Sequence, residues 1–344
     1  MNRAHRTLAA GAVVTALALT GCSGQKAATT TAQASGDGKT VALLYGTTGD
    51  HSIQDSAYAG FTQAQKDSSF TPLELSSPNT DDYQDRVDLA LQQGADLAVG
   101  IGFQWTTPMT ETDHPDTAFV AVDVDKGTTI EGATTVSFAA EESSYLVGMA
   151  AALASKSGHI GFVGGVNQPS IQNFLGGYEA GAKSVDPDIT VDSTYLSPLG
   201  DFTGFSDPTK GKEAAATMYA DGADVVYAAA GGSGEGVYEE AADSSSSSRQ
   251  NWAIGVDGDV YEQVDAKIKP YILTSATKNI DVAVKDSISQ YLAGDLKTGE
   301  QQFDLANGGV GYSTSGGFVD AYADQLDAAA KKIADGDIKV PSAL

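Results

Sequence analysis

The chain has 344 residues, with 45 acidic against 20 basic side chains and a formal charge of −25. A surface this acidic repels phosphate backbones, and no basic stripe interleaved with aromatics occurs, so nucleic acid is excluded as a partner. Cys22 is the only cysteine, which excludes an internal disulfide.

At the N-terminus, Arg3 and Arg6 precede an apolar run over 8–19, and Leu19-Thr20-Gly21-Cys22 follows. A charged start, an apolar stretch too short to span a bilayer and small residues before a cleavage point have the order of a signal peptide, here 1–21. The position of Cys22 resembles the lipobox of bacterial lipoproteins, in which the thiol is acylated and becomes the mature N-terminus. Such an anchor would place the protein on the extracytoplasmic face of the cell membrane. Removing 1–21 takes away two basic residues and no acidic one, leaving a formal charge of −27. Residues 22–39 are small, polar and aperiodic, as expected of a flexible tether.

From Thr40 onward, continuously apolar runs at 41–45, 97–101, 118–122, 160–163, 225–229 and 253–256 read as buried parallel strands. Amphipathic stretches at 56–67, 145–155, 171–184, 208–219 and 282–293 separate them as helices. This alternation predicts a doubly wound α/β fold, and about 300 residues exceed one ordinary domain. Two Rossmann-like lobes with a cleft between them are therefore expected. The strands end in Gly46, Gly100, Asp123, Gly164-Gly165, Gly231-Gly232 and Asp257. Such carboxyl ends are where open α/β sheets bind ligands. The serine run at 244–248 reads as a surface loop.

The order of motifs resembles the basic membrane protein (BMP) family, the purine-nucleoside-binding lipoproteins of ABC importers. The resemblance rests on Asp50-His51-Ser52-Ile53-Gln54-Asp55-Ser56-Ala57, Gly100-Ile101-Gly102-Phe103, Phe119-Val120-Ala121-Val122-Asp123 and Glu141-Glu142-Ser143-Ser144-Tyr145. It continues through Gly161-Phe162-Val163-Gly164-Gly165, Asp207-Pro208-Thr209-Lys210-Gly211, Ala230-Gly231-Gly232-Ser233-Gly234, Ile254-Gly255-Val256-Asp257 and Leu273-Thr274-Ser275-Ala276-Thr277-Lys278. It implies the type I solute-binding fold, with hinge crossings placed near Phe138, Asp257 and Leu305. The N-terminal lobe would be 40–138 plus 258–305, and the C-terminal lobe 139–257 plus 306–344. It also implies a monomer that hands a nucleoside to an ABC permease without a cofactor.

A nucleoside requires a stacking surface, carboxylates to accept from the ribose hydroxyls and polar groups to read the base edge. By the resemblance, Asp257 and Lys278 grip the ribose, although a buried ion pair at a hinge is the structural alternative. Asp50 and Asp123 would contact base or ribose. The alternatives are a helix cap for Asp50 and a plain loop carboxylate for Asp123. Phe205 matches the aromatic that stacks on the base, or else staples the following helix to the core. Gly231 and Gly232 would let backbone N–H groups approach the ligand, and the spacing of that run is not a dinucleotide fingerprint. Ile53 and Gln54 depart from the family, which carries a stacking Phe and an Asn there; Ile53 would meet the base by weaker apolar packing and Gln54 by amide chemistry, so a different purine or a pyrimidine nucleoside stays open. A sugar or another small metabolite on the same scaffold is the alternative ligand class. A nucleoside hydrolase is disfavoured, because His51, His114 and His159 lie at no metal-ligand or triad spacing.

Overall fold

The computed structural model describes residues 35–78 and 82–342; the signal segment 1–21, Cys22 and the tether up to residue 34 lie outside them. The first half of the chain runs β1 (Ser35–Tyr45), α1 (Ile53–Asp67), β2 (Ser69–Ser76), α2 (Tyr83–Gln92), β3 (Leu97–Ile101), α3 (Thr106–Glu111), β4 (Ala118–Val122), β5 (Thr134–Phe138) and α4 (Ala140–Ala154). It continues with β6 (His159–Val166), α5 (Pro169–Val185), β7 (Thr190–Ser197), α6 (Pro208–Asp221), β8 (Val225–Ala229), α7 (Gly234–Asp243), β9 (Trp252–Asp257) and α8 (Val260–Gln263). The last elements are β10 (Ile272–Lys278), α9 (Ile280–Ala293), β11 (Gly299–Phe303), β12 (Val310–Tyr312) and α10 (Ala323–Ala334).

Two six-stranded sheets result, with orders β11-β5-β4-β3-β1-β2 and β12-β10-β9-β8-β6-β7. Pairing is parallel except between β10 and β12. Both faces of each sheet are covered, which explains why the central strands carry no polar alternation. In β1, Val41 and Leu43 pack on one side with Phe61, Ile280 and Val284, while Ala42 and Leu44 pack on the other with Trp105 and Phe119. The second sheet repeats this scheme: Phe162, Tyr227 and Ile254 share one core, whereas Val163, Val226 and Ala253 share another. Among the described residues no helix is long and apolar enough to cross a membrane.

The chain passes from the first sheet to the second between β5 and α4, and again between β11 and β12. Two sequence expectations need correction. The return to the first half does not fall at Asp257. The stretch after it, through β10, stays in the second sheet beside β9, and the chain returns only between Lys278 and α9, which packs on α1. The hydroxyl-rich β10 belongs there because its polar groups find partners in that half: Thr274 Oγ1 donates to Ser313 O, and Ser275 Oγ accepts from Val260 N. Residues 35–39, assigned to the tether, instead form the start of β1, where Ser35 aligns with Ser69 of β2.

Candidate functional site

The carboxyl ends of the two sheets open on one cavity of about 1010 Å³, at the upper end of the roughly 300–1,000 Å³ usual for small-molecule sites. Asp50, Ile53, Gln54, Asp123, Phe205, Gly231, Gly232, Asp257 and Lys278 all line it.

Its polar centre is built where three strands end. Asp123 directly follows β4, and Asp257 closes β9. Both have left-handed backbones, with φ of 64° and 63°. Short carboxylate side chains tolerate this conformation better than other non-glycine residues, and such outliers cluster at ligand sites. Lys278, the last residue of β10, donates from Nζ to Asp123 Oδ1 at 2.8 Å and lies 3.5 Å from Asp257 Oδ1. Ser52 Oγ, just before α1, donates to Asp257 Oδ2. The Lys278–Asp123 and Ser52–Asp257 bonds join the two halves across the cleft. Burial pushes the Asp257 carboxyl upward against the pull of Lys278, and Asp123 pushes it further the same way. Burial also works against the Lys278 ammonium, yet Asp123 and Asp257 together hold its pKa above the ordinary lysine value. The ammonium further sits 4.7 Å from the centre of the Phe174 ring. Asp257 Oδ1 is buried without a hydrogen bond and faces Lys278 Nζ at ion-pair distance. An acceptor left in that state attracts a donor from any ligand that reaches it.

Asp50 takes the capping geometry. Its carboxylate accepts from the backbone N–H groups of Ser52, Gln54 and Asp55 at 3.0–3.2 Å, satisfying the exposed donors of α1. Burial nonetheless raises its pKa to about 6. Gln54 Oε1 accepts from Gly46 N at 2.8 Å, so the carbonyl end of this amide is committed to the end of β1. Asp125 and Glu141 also line the cavity, and burial raises the pKa of each.

Another part of the lining is aromatic. Phe205 lies in a turn before α6, with its ring over Gly165, where any Cβ would come within 2.4 Å of it. Phe205 thus packs on the core of the second half and lines the cavity as well. Gly231, at φ 52°, and Gly232 pass close to the Phe205 carbonyl, and a Cβ on Gly232 would sit 3.9 Å from Asp50 Cα. Phe103, from the turn after β3, crosses to Phe202 and Phe205 with ring centres 5.6 and 6.4 Å apart. Ser52, Phe103, Phe174 and Phe202 were not identified from sequence. The strand-end rule that located Asp123 and Asp257 would have reached Phe103, which stands two residues past β3. An apolar residue in a loop carries no periodic signal.

Two mostly parallel sheets with a cavity at their carboxyl ends have the type I solute-binding fold. A solved ABC-transporter solute-binding protein from Aeropyrum pernix K1 superposes with a TM-score of 0.76 at 23% identity, covering 88% of this chain and 94% of its own. The family described as "ABC transporter substrate-binding protein PnrA-like" matches residues 39–343, and this chain belongs to that family. Its members are binding proteins and not enzymes. The "ABC transporter nucleoside-binding protein BmpA" of Lactococcus lactis subsp. cremoris is 37% identical over 99% of this chain and all of the relative. A "CD4+ T-cell-stimulating antigen" of Listeria monocytogenes is 34% identical, with 88% of each covered.

Proposed function

We propose that this substrate-binding protein captures a nucleoside in the cleft, held at the membrane through Cys22, and delivers it to an ABC permease. The observation that carries the reading is the unfilled Oδ1 acceptor of Asp257, held beside Lys278 in the same cavity as the Phe205 wall. Carboxylates at one end suit a vicinal diol, and the flat aromatic wall at the other suits a base. Ribose hydroxyls would donate to Asp257 and accept from Lys278. Ionised carboxylates only accept, so a ligand rich in hydroxyl donors complements them. The BmpA relative's name agrees with this ligand class.

A thermal-shift panel of purine and pyrimidine nucleosides, free bases, sugars and amino acids tests the reading. Nucleosides alone should raise the unfolding temperature in a concentration-dependent way. A response confined to sugars would replace the nucleoside with the alternative ligand class. For the anchor, Cys22→Ala should abolish incorporation of labelled fatty acid and release the protein from the membrane fraction.

A further inference from the structure

Ile53 lines the cavity at the position where, by the family resemblance, a flat ring would stack on the base. Ile53 offers branched carbons and no π face. Its Cδ1 lies 3.4 Å from the point a Cβ on Gly102 would occupy. The next residue is Phe103. Both side chains therefore border one corner of the cavity, and both line it.

The fold fixes the turn that carries Phe103. Trp105, 1% exposed, packs at a 48° tilt against Tyr83 with ring centres 4.5 Å apart, and with Met109 beneath the end of β3. This buried anchor pins the short turn Phe103–Trp105 from below while Phe103 remains half-buried at the cavity. Phe202 stands against Phe103 at 5.6 Å and limits its swing, and Phe205 lies 6.4 Å away at 58°. A flat heterocycle in van der Waals contact with a ring on each face needs about 7 Å between those rings, because favourable carbon–carbon separations start near 3.5 Å. The two rings instead stand at 58° with their centres 6.4 Å apart, so they pack against each other with no parallel gap. A base enters between them only when the two halves separate and one ring turns towards parallel.

We propose that Phe103 supplies the second aromatic face for the base, replacing from the neighbouring turn the ring absent at position 53. The site is then a full sandwich between Phe103 and Phe205. This deepens the nucleoside reading and rests on it. It makes Phe103 a determinant of base selectivity, because a purine presents more π surface to both rings than a pyrimidine does.

The test is calorimetry on the full-length protein with adenosine, inosine and uridine, for wild type, Phe103→Ala, Phe103→Trp and Phe103→Ala/Ile53→Phe. Stacking is worth about 1–3 kcal/mol per base, so Phe103→Ala should weaken adenosine and inosine about five- to 140-fold, and uridine less. Phe103→Trp should retain most of the affinity. Ile53→Phe should recover part of the loss, since a ring at position 53 reaches the same corner. Phe103→Leu, with its unfolding temperature measured alone, separates lost stacking from lost folding. It should fold normally and still bind purine nucleosides weakly. Equal losses for all three nucleosides without rescue would mean that Phe103 only latches the closed halves through Phe202, and the proposal would fall. Full affinity in Phe103→Ala would overturn it while leaving nucleoside binding intact. If wild type takes up none of the three, the underlying reading fails too.

Discussion

Lys278 neutralises two carboxylates that approach it from opposite halves, and all three groups are largely shielded from water. Lys278→Met leaves Asp123 and Asp257 buried without their counter-charge. Breaking a buried pair in this way costs about 3–5 kcal/mol. Urea denaturation at neutral pH should show a loss of that order, and the loss should shrink in acid as a carboxyl takes up a proton. Asp50 gives a second pH signature. Its pKa of about 6 in the folded protein lies above the ordinary aspartate value, so the native state binds this proton more tightly than the unfolded chain. The sign follows: the contribution favours folding at low pH and is lost as pH rises through about 6. Measured against Asp50→Asn, the wild type should therefore gain relative stability between pH 6 and pH 4. A flat difference across that window would show that burial does not perturb this carboxyl. The capping role and the cavity position of Asp50 coexist, which sequence could express only as alternatives. One carboxylate can accept from three backbone donors and still border the ligand space.

Among the elements, the strands legible from sequence were those buried on both faces. The runs at 97–101, 118–122 and 225–229 coincide with β3, β4 and β8. The edge strands β2 and β7 and the polar β11 lacked that signature, because partial exposure lets polar residues alternate irregularly along them. β5 was hidden for a different reason: Thr134, Thr135 and Ser137 are buried, and their hydroxyls donate to Lys297 O, Thr128 O and Glu300 Oε1. Composition cannot reveal such satisfied hydroxyls in advance. β10 is masked in the same way by Thr274, Ser275 and Thr277, so no strand signal stood against the crossing that the resemblance placed at Asp257. Where α4 meets α5 the backbones touch through glycine. A Cβ on Gly177 would lie 2.1 Å from the Glu141 carbonyl oxygen. Gly177→Ala must push α4 outward, at about 1–3 kcal/mol for overpacking. Because Glu141 lines the cavity, ligand affinity should fall with the unfolding temperature. Unchanged affinity in a destabilised variant would show that the helix shift does not reach the site.

Among the described residues, the two sheet halves are joined across the cleft by Ser52 with Asp257, Asp123 with Lys278, and Phe103 with the Phe202 and Phe205 rings. A ligand that touches both walls favours a closed arrangement, with the Phe103 and Phe205 rings parted around it, over an open one, and only such differential contact can shift the balance. Small-angle scattering should record a smaller radius of gyration at saturating nucleoside than without it. An identical radius would mean that the halves do not separate when empty.

Among the described residues, the cavity lining carries six carboxylates, Asp50, Asp123, Asp125, Glu141, Glu235 and Asp257, against two ammonium groups, Lys126 and Lys278. This imbalance acts as an electrostatic filter, since like charges brought together in a shielded space repel more strongly than in water. Adenosine should pass it and AMP should not. In calorimetry, AMP should bind at least about tenfold more weakly than adenosine, the discrimination coming from the lining's own charge rather than from any added clash. The cargo would then have to arrive already stripped of phosphate, and the protein would leave extracellular nucleotides untouched until another activity had cleaved them.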